Sequence, residues 1–238
     1  MSNQDQQLSL FDILSVNQDP LQSPKSVDFD LEEIPQNAKT PIPPGTYQTL
    51  AQIADHCNRC SRCELGKNRT HAVIGRGNPT APIMIIGEAP GQHEDEQGLP
   101  FVGRSGKLLD NILDSVGLST DTEVYISNAI RCRPPENRTP TASELQACKP
   151  YLLEQIRLIN PQIILLTGAT AVKSILGDKR PITKIRGQWF QWEGRQCMPI
   201  FHPAYLLRNS SRDVGKPKWL MWQDMQVVRQ RLNEIQSH

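Results

Sequence analysis

The stretch PIMIIGEAPGQHEDEQGLPFVGRSGKLLD, residues 82–110, decides the fold. An apolar run through Ile86 ends in a glycine-rich turn, GEAPG. An acidic cluster (Glu94, Asp95, Glu96) and Phe101 follow, before Leu108, Leu109, Ile112 and Leu113 recur at helical spacing. Strand, tight turn, ligand loop and helix, in that order, is how open α/β sheets place their sites at strand carboxyl ends. Working outward from the strand at 83–87, three more strands are predicted over 123–127, 162–167 and 196–201. Helical patterns cover 47–56, 107–116, 143–159 behind a Thr141 or Ser143 cap, 170–176 and 219–235. Strands alternating with helices argue for an α/β protein with a four-stranded, mostly parallel sheet covered on both faces.

A chain of 238 residues supports one buried core plus an appendage. Residues 1–45 are rich in Gln, Asp, Ser and Pro and read as a disordered tail, since they cannot bury enough apolar surface to offset the entropy of ordering. The folded domain is expected over 46–238. The overall formal charge of +1 hides a split: the tail holds seven acids against two lysines, a net −5, so the remainder carries +6. That excess suits phosphate contacts and also an ordinary surface. No apolar run is long enough to span a bilayer and no secretory signal opens the chain, so a soluble cytoplasmic protein without membrane association is expected. A monomer is expected as well, because no long heptad pattern occurs.

Six cysteines occur, at 57, 60, 63, 132, 148 and 197. In a cytosolic chain, metal or catalytic roles come before disulfides. Cys57, Cys60 and Cys63 form CNRCSRC, while Cys132 and Cys148 flank a polar loop that is a poor place to bury free thiols. Two pairs make four ligands, and spacing alone leaves tetrahedral zinc and an iron–sulfur cluster both open. Cys197, inside the strand QCMPIF, reads as a small buried hydrophobe.

Several motifs in order resemble the family 4 uracil-DNA glycosylases: GEAPG at 87–91, the Glu94–Asp95 pair, PFVG at 100–103, SNAIRCRPPENR at 127–138 and FHPAYLLR at 201–208. The match runs from about Cys57 to Leu232. The resemblance implies a three-layer α/β/α sandwich and an enzyme that flips uracil out of DNA and hydrolyses its N-glycosidic bond without a divalent metal. It also implies a 4Fe-4S cluster on Cys60, Cys63, Cys132 and Cys148. Cys57 departs from the expected two-cysteine start, so a Cys57/Cys60 exchange stays open.

A flipped uracil needs an aromatic face, an amide reader and a donor for the leaving base. Phe101 fits the first role. Asn128, at a strand end, matches the O4 and N3–H edge of uracil and opposes the reversed pattern of cytosine. His202 is placed to stabilise charge developing on uracil O2. Gly87, Glu88 and Ala89 line the turn where backbone approaches the base closely. Glu94 and Asp95 are the candidate carboxylates for the oxocarbenium-like sugar and its water, with Glu94 also near the base; Glu88 is a third candidate. Tyr205, Leu206 and Leu207 form an apolar tip suited to wedging DNA, with Arg208 and Arg212 as phosphate anchors.

Within the tail, Gln7, Leu8, Ser9, Leu10 and Phe11 resemble the pentapeptide with which bacterial repair proteins bind the sliding clamp. Two competing readings remain at this stage. One is an inactive iron–sulfur nucleic-acid-binding module of the same fold; the other is a phosphate-binding α/β protein, opposed by the carboxylates beside GEAPG.

Overall fold

The computed structural model describes residues 38–237. The rest of the tail, with the pentapeptide at 7–11, lies outside the described residues. The sheet is built around β2 (Ile83–Gly87), whose five residues are all buried. It pairs in parallel with β3 (Val124–Asn128) on one side and β4 (Ile163–Thr167) on the other, and β4 pairs in parallel with β6 (Arg195–Ile200). These four strands fall within a residue or so of the predicted ones, and their continuous apolar runs reflect burial on both faces.

Among the described residues the sheet has six strands, not four. β1 (Arg76–Gly77) runs antiparallel to β3 and β5 (Phe190–Trp192) antiparallel to β6, giving the order β1-β3-β2-β4-β6-β5. Segments of two and three residues are too short to carry an alternation signal, so they escape a reading based on periodicity. The chain steps from β2 to β3 on one side and then returns past β2 to β4 on the other. That reversal opens a crevice beyond the carboxyl ends of β2 and β4.

On one sheet face, Ile83, Ile85, Ile126 and Leu165 pack against Leu109 and Leu113 of α3 (Arg104–Asp114) and against Met225 and Val228 of α8 (Pro217–Gln236). On the other, Met84, Ile86 and Leu166 meet Leu152 and Ile156 of α4 (Ala142–Ile159) and Val172 of α5 (Ala169–Leu176). This is the expected three-layer sandwich. A smaller cluster joins Ile53 and Cys57 of α1 (Leu50–Arg59) to Tyr151 of α4.

Caps set the helix starts. Thr49 accepts from Gln52 N at 3.2 Å and Gln52 returns the bond, so α1 begins three residues later than predicted. Thr141, rather than Ser143, caps α4 through the same reciprocal bond with Glu144. Short helices absent from the sequence reading are α2 (Gln92–Gln97), α6 (Ile182–Ile185) and α7 (Pro203–Arg208). The body also starts before residue 46. Ile42 is buried, and Gly45 N donates to Glu154 at 2.9 Å, which places 38–45 with the domain instead of the tail. Among the described residues no helix is long and apolar enough to cross a membrane.

Leu165 lies in a central strand with no exposed surface. Leu165→Ala is expected to lower unfolding free energy by about 2–5 kcal/mol in urea titration; a loss below about 1 kcal/mol would contradict the packing described.

Candidate functional site

β2 and β3 end in register, with Gly87 opposite Asn128. Ala129 N donates to the Gly87 carbonyl at 2.8 Å and Ile130 N to that of Glu88 at 3.3 Å, which extends the pairing into the turn. A Cβ on Gly87 would stand 2.3 Å from Asn128 Oδ1 and 2.7 Å from the Phe101 ring. Glycine is therefore required where amide and ring converge over the strand end.

Phe101 holds a left-handed backbone, φ +55, that costs a non-glycine residue free energy. Three contacts enforce it. Gly106 in α3 leaves room for the Phe101 carbonyl, which a Cβ there would approach to 1.7 Å. Arg76 Nη2 donates to the same carbonyl at 3.3 Å. Glu94 Oε1 accepts from the following two amides, Val102 N at 3.0 Å and Gly103 N at 2.9 Å, while its Oε2 accepts from Gly91 N at 3.1 Å. Glu94 thus ties the start of α2 to the loop that carries Phe101.

His202 caps α7: its Nδ1 accepts from Ala204 N at 3.1 Å. That bond leaves the proton of the neutral ring on Nε2, free to donate. Burial, reinforced by the Arg208 charge, pulls the His202 pKa down to about 4, so the ring is neutral at pH 7. Its centroid lies 5.8 Å from that of Phe101.

These groups face one cavity of about 610 Å³ at the carboxyl ends of all four parallel strands, within the range of small-molecule sites. Glu88, Ala89, Glu94, Phe101, Asn128 and His202, read from the sequence as uracil contacts, line it, as do Tyr205 and Arg208, read as DNA contacts; Gly87 abuts the Phe101 ring and the Asn128 amide. Asp95, Leu206, Leu207 and Arg212 are not among its lining residues. The Asp95 carboxylate accepts from Thr70 N at 3.0 Å and so braces the segment before β1. Both Glu94 and Asp95 are buried. Leu206 is fully buried in the core under α7, leaving Leu207 exposed and Tyr205 against Phe201 at 5.1 Å. Arg212 opens onto a separate groove with Trp219 and Trp222.

Sequence reasoning missed Thr167, Gly168 and Ala169, which end and follow β4 and line the cavity, and Asn137 from the loop after Cys132; Arg138 of that loop lines it too. The strand-to-glycine pattern LLTGAT was the available signal. It also missed Thr170, whose hydroxyl bonds Glu88 Oε2 and orients that carboxylate at the cavity edge.

A second cavity lies between α1, α4 and the loop after β3. Cys57, Cys60, Cys63, Cys132 and Cys148 all line it, together with Arg62, Arg69 and Arg131. Cys197 lies apart, buried in the sheet. N–H donors reach two of the sulfurs: Arg69 Nη1 lies 3.7 Å from Cys132 Sγ and Arg62 N lies 3.5 Å from Cys60 Sγ. Burial pushes the Cys132 thiol up to about 12 and Cys148 up to about 11, and raises Cys57 and Cys63 as well. The buried Arg131 Nε has no hydrogen-bond partner among the described residues. An all-thiol set ringed by guanidinium groups, with one donor unfilled, suits an anionic metal–thiolate group. Among the described residues, no group of three or more His, Cys, Asp or Glu is arranged to hold a metal ion.

Residues 74–226 match the family model described as the uracil DNA glycosylase superfamily. A type-4 uracil-DNA glycosylase of Thermotoga maritima is 46% identical over 174 residues, covering 72% of this chain and 90% of the relative. Type-4 enzymes of Sulfurisphaera tokodaii and Saccharolobus solfataricus are 42% and 43% identical, covering 68% and 67% of this chain and 77% and 78% of theirs.

The unfolded imidazole of residue 202 takes up its proton near pH 6.5, the folded one only near 4. Unfolding therefore takes up a proton between these values, and this contribution to stability falls as the pH falls from 6.5 towards 4. An NMR titration is expected to give a His202 midpoint near pH 4, raised in Arg208→Ala but still below 6.5, because burial is the larger cause. A midpoint near 6.5 in the parent would contradict the buried, neutral ring.

Proposed function

The chain belongs to the type-4 uracil-DNA glycosylases, and from that premise we propose how its own residues release uracil from DNA and leave an abasic site for repair. The observation that carries the reading is the convergence of the Asn128 amide, the Phe101 ring and the His202 imidazole on one cavity at the sheet's switch point.

Uracil is reached only after it leaves the base stack. Phe101, locked by Gly106, Arg76 and Glu94, offers a fixed face for the flipped ring. Asn128 donates to O4 and accepts from N3–H, an arrangement that leaves cytosine facing mismatched groups and costs it the unpaired partners. As the N1–C1′ bond breaks, its electron pair goes to the base and negative charge grows on O2. The neutral His202 donates Nε2–H there without first having to lose or gain a proton. The sugar left behind is oxocarbenium-like, and water adds at C1′ while releasing its proton. Glu88 is the carboxylate that the geometry favours for this step. It lines the cavity and its hydrogen-bond partner is the Thr170 hydroxyl, whereas Glu94 is occupied by three backbone amides and Asp95 lies outside the cavity.

For contact with DNA, the exposed Leu207 is assigned to the space vacated by the base, with Tyr205 beside it and Arg208 at the cavity mouth. Arg212 would extend phosphate contacts past α7.

A 4Fe-4S cluster on Cys60, Cys63, Cys132 and Cys148 is supported by the donor chemistry of the second cavity. Four thiols suit one zinc ion or a cage of irons alike, and the resemblance to the iron–sulfur family favours the cage. When bound, the cluster supplies a structural crosslink between the end of α1, the loop after β3 and α4. Cys57 lines the same cavity, which keeps its exchange with Cys60 as the alternative ligand set. The pentapeptide at residues 7–11 would anchor the enzyme to a sliding clamp; a chain lacking residues 1–37 is expected to lose retention on immobilised clamp and keep excision, and equal retention would refute the anchor.

Excision is tested on a labelled uracil oligonucleotide in EDTA with alkaline cleavage of abasic sites. The parent is expected to cleave. His202→Ala should lose about 100- to 1000-fold and Asn128→Ala about 100-fold or more, both retaining iron and its visible absorbance. Cys132→Ser should lose iron and absorbance. No cleavage by the iron-loaded parent would overturn the reading.

A further inference from the structure

Arg131 stands between the two sites. It is 1% exposed and ranks among the largest fully buried side chains. Its Nη1 donates to the carbonyl of Asn128 and its Nη2 to Gln155 Oε1. Gln155 is itself fixed, accepting from Ser127 Oγ at 3.0 Å and donating to the Ile74 carbonyl at 3.0 Å. Both of Arg131's acceptors are neutral oxygens. A guanidinium keeps its charge at any pH the protein meets, and a buried charge without a counter-charge is strongly unfavourable. The remaining nitrogen, Nε, is without a partner among the described residues, and Arg131 lines the cavity of the thiols.

We infer that Arg131 is a positioning residue that ties the uracil-reading Asn128 to the anionic metal–thiolate group of the cysteine cavity. The inference rests on the functional reading above. Charge on the thiolate side holds the guanidinium, and the guanidinium's planar fork holds the Asn128 carbonyl and Gln155 together. The peptide so fixed carries the amide that reads the base. An empty cavity leaves the charge unpaired and frees the fork to turn, so loading of the second cavity improves the geometry of the first without any contact between the metal group and DNA. Lysine would supply the charge but not the fork.

Two variants of the full, iron-loaded chain separate these parts. Arg131→Lys is expected to keep the parent's iron content and visible spectrum and a KM for uracil DNA within about twofold. Its kcat should fall about tenfold or more, because the lost interaction acts on the geometry of the flipped base. Calorimetry should show its affinity for free uracil falling by a similar factor. Arg131→Met is expected to lose iron to a chelator about tenfold faster than the Lys variant, since it lacks the counter-charge. If the Met variant fails to fold, the Lys variant against the parent still decides the fork. A Lys variant with kcat and uracil affinity within about twofold of the parent overturns the positioning role. A folded Met variant that holds iron as long as the parent overturns the charge tie. A parent that neither cleaves uracil DNA nor binds uracil overturns the functional reading itself, while the iron-loss comparison still settles the charge tie.

Discussion

The absence of a side chain at Gly87 is the constraint on which the site depends. Parallel pairing on both sides of β2 brings the end of that strand level with Asn128, and the loop after α2 folds the Phe101 ring back over it. Amide oxygen and ring carbons both lie within 3 Å of where a Cβ would be. Any larger residue pushes apart the two groups that give the cavity its aromatic wall and its amide. The sheet thus does more than support the site, because its register sets the spacing between recognition groups.

Holding that spacing requires buried carboxylates in bracing roles. Glu94 accepts three backbone N–H bonds from the starts of two helices, and Asp95 accepts from the chain ahead of β1. Carboxylate–amide bonds are stronger than neutral ones, so these residues hold a strained Phe101 loop that would otherwise relax. His202 is arranged with similar economy, since the bond that caps α7 also selects the ring's tautomer. The second cavity is linked to the first through SNAIRC, in which only Ala129, Ile130 and Arg131 separate Asn128 from Cys132.

The architecture was legible because β2, β3 and β4 are largely apolar runs ended by Gly, Asn or Thr-Gly, the signal left by a sheet covered on both faces. Phe101, Asn128 and His202 were legible for a related reason: each sits just past a strand or glycine turn, where side chains face a crevice. The edge strands were not, being two and three residues long. The roles of Glu94 and Asp95 were hidden as well, because their partners are backbone amides up to 25 positions away and periodicity carries no trace of them. Leu206 and Leu207 are adjacent apolar letters, yet the helix capped by His202 turns one into the core and the other to the surface. In the sequence Arg131 is one of three arginines in SNAIRCRPPENR, and burial distinguishes it.

A crystal structure of the protein with free uracil tests the central claim most directly. The account predicts the base against Phe101, its O4 and N3–H paired with the Asn128 amide and its O2 at His202 Nε2. Uracil bound away from Asn128 and His202, as in the groove beside Trp219, would contradict it.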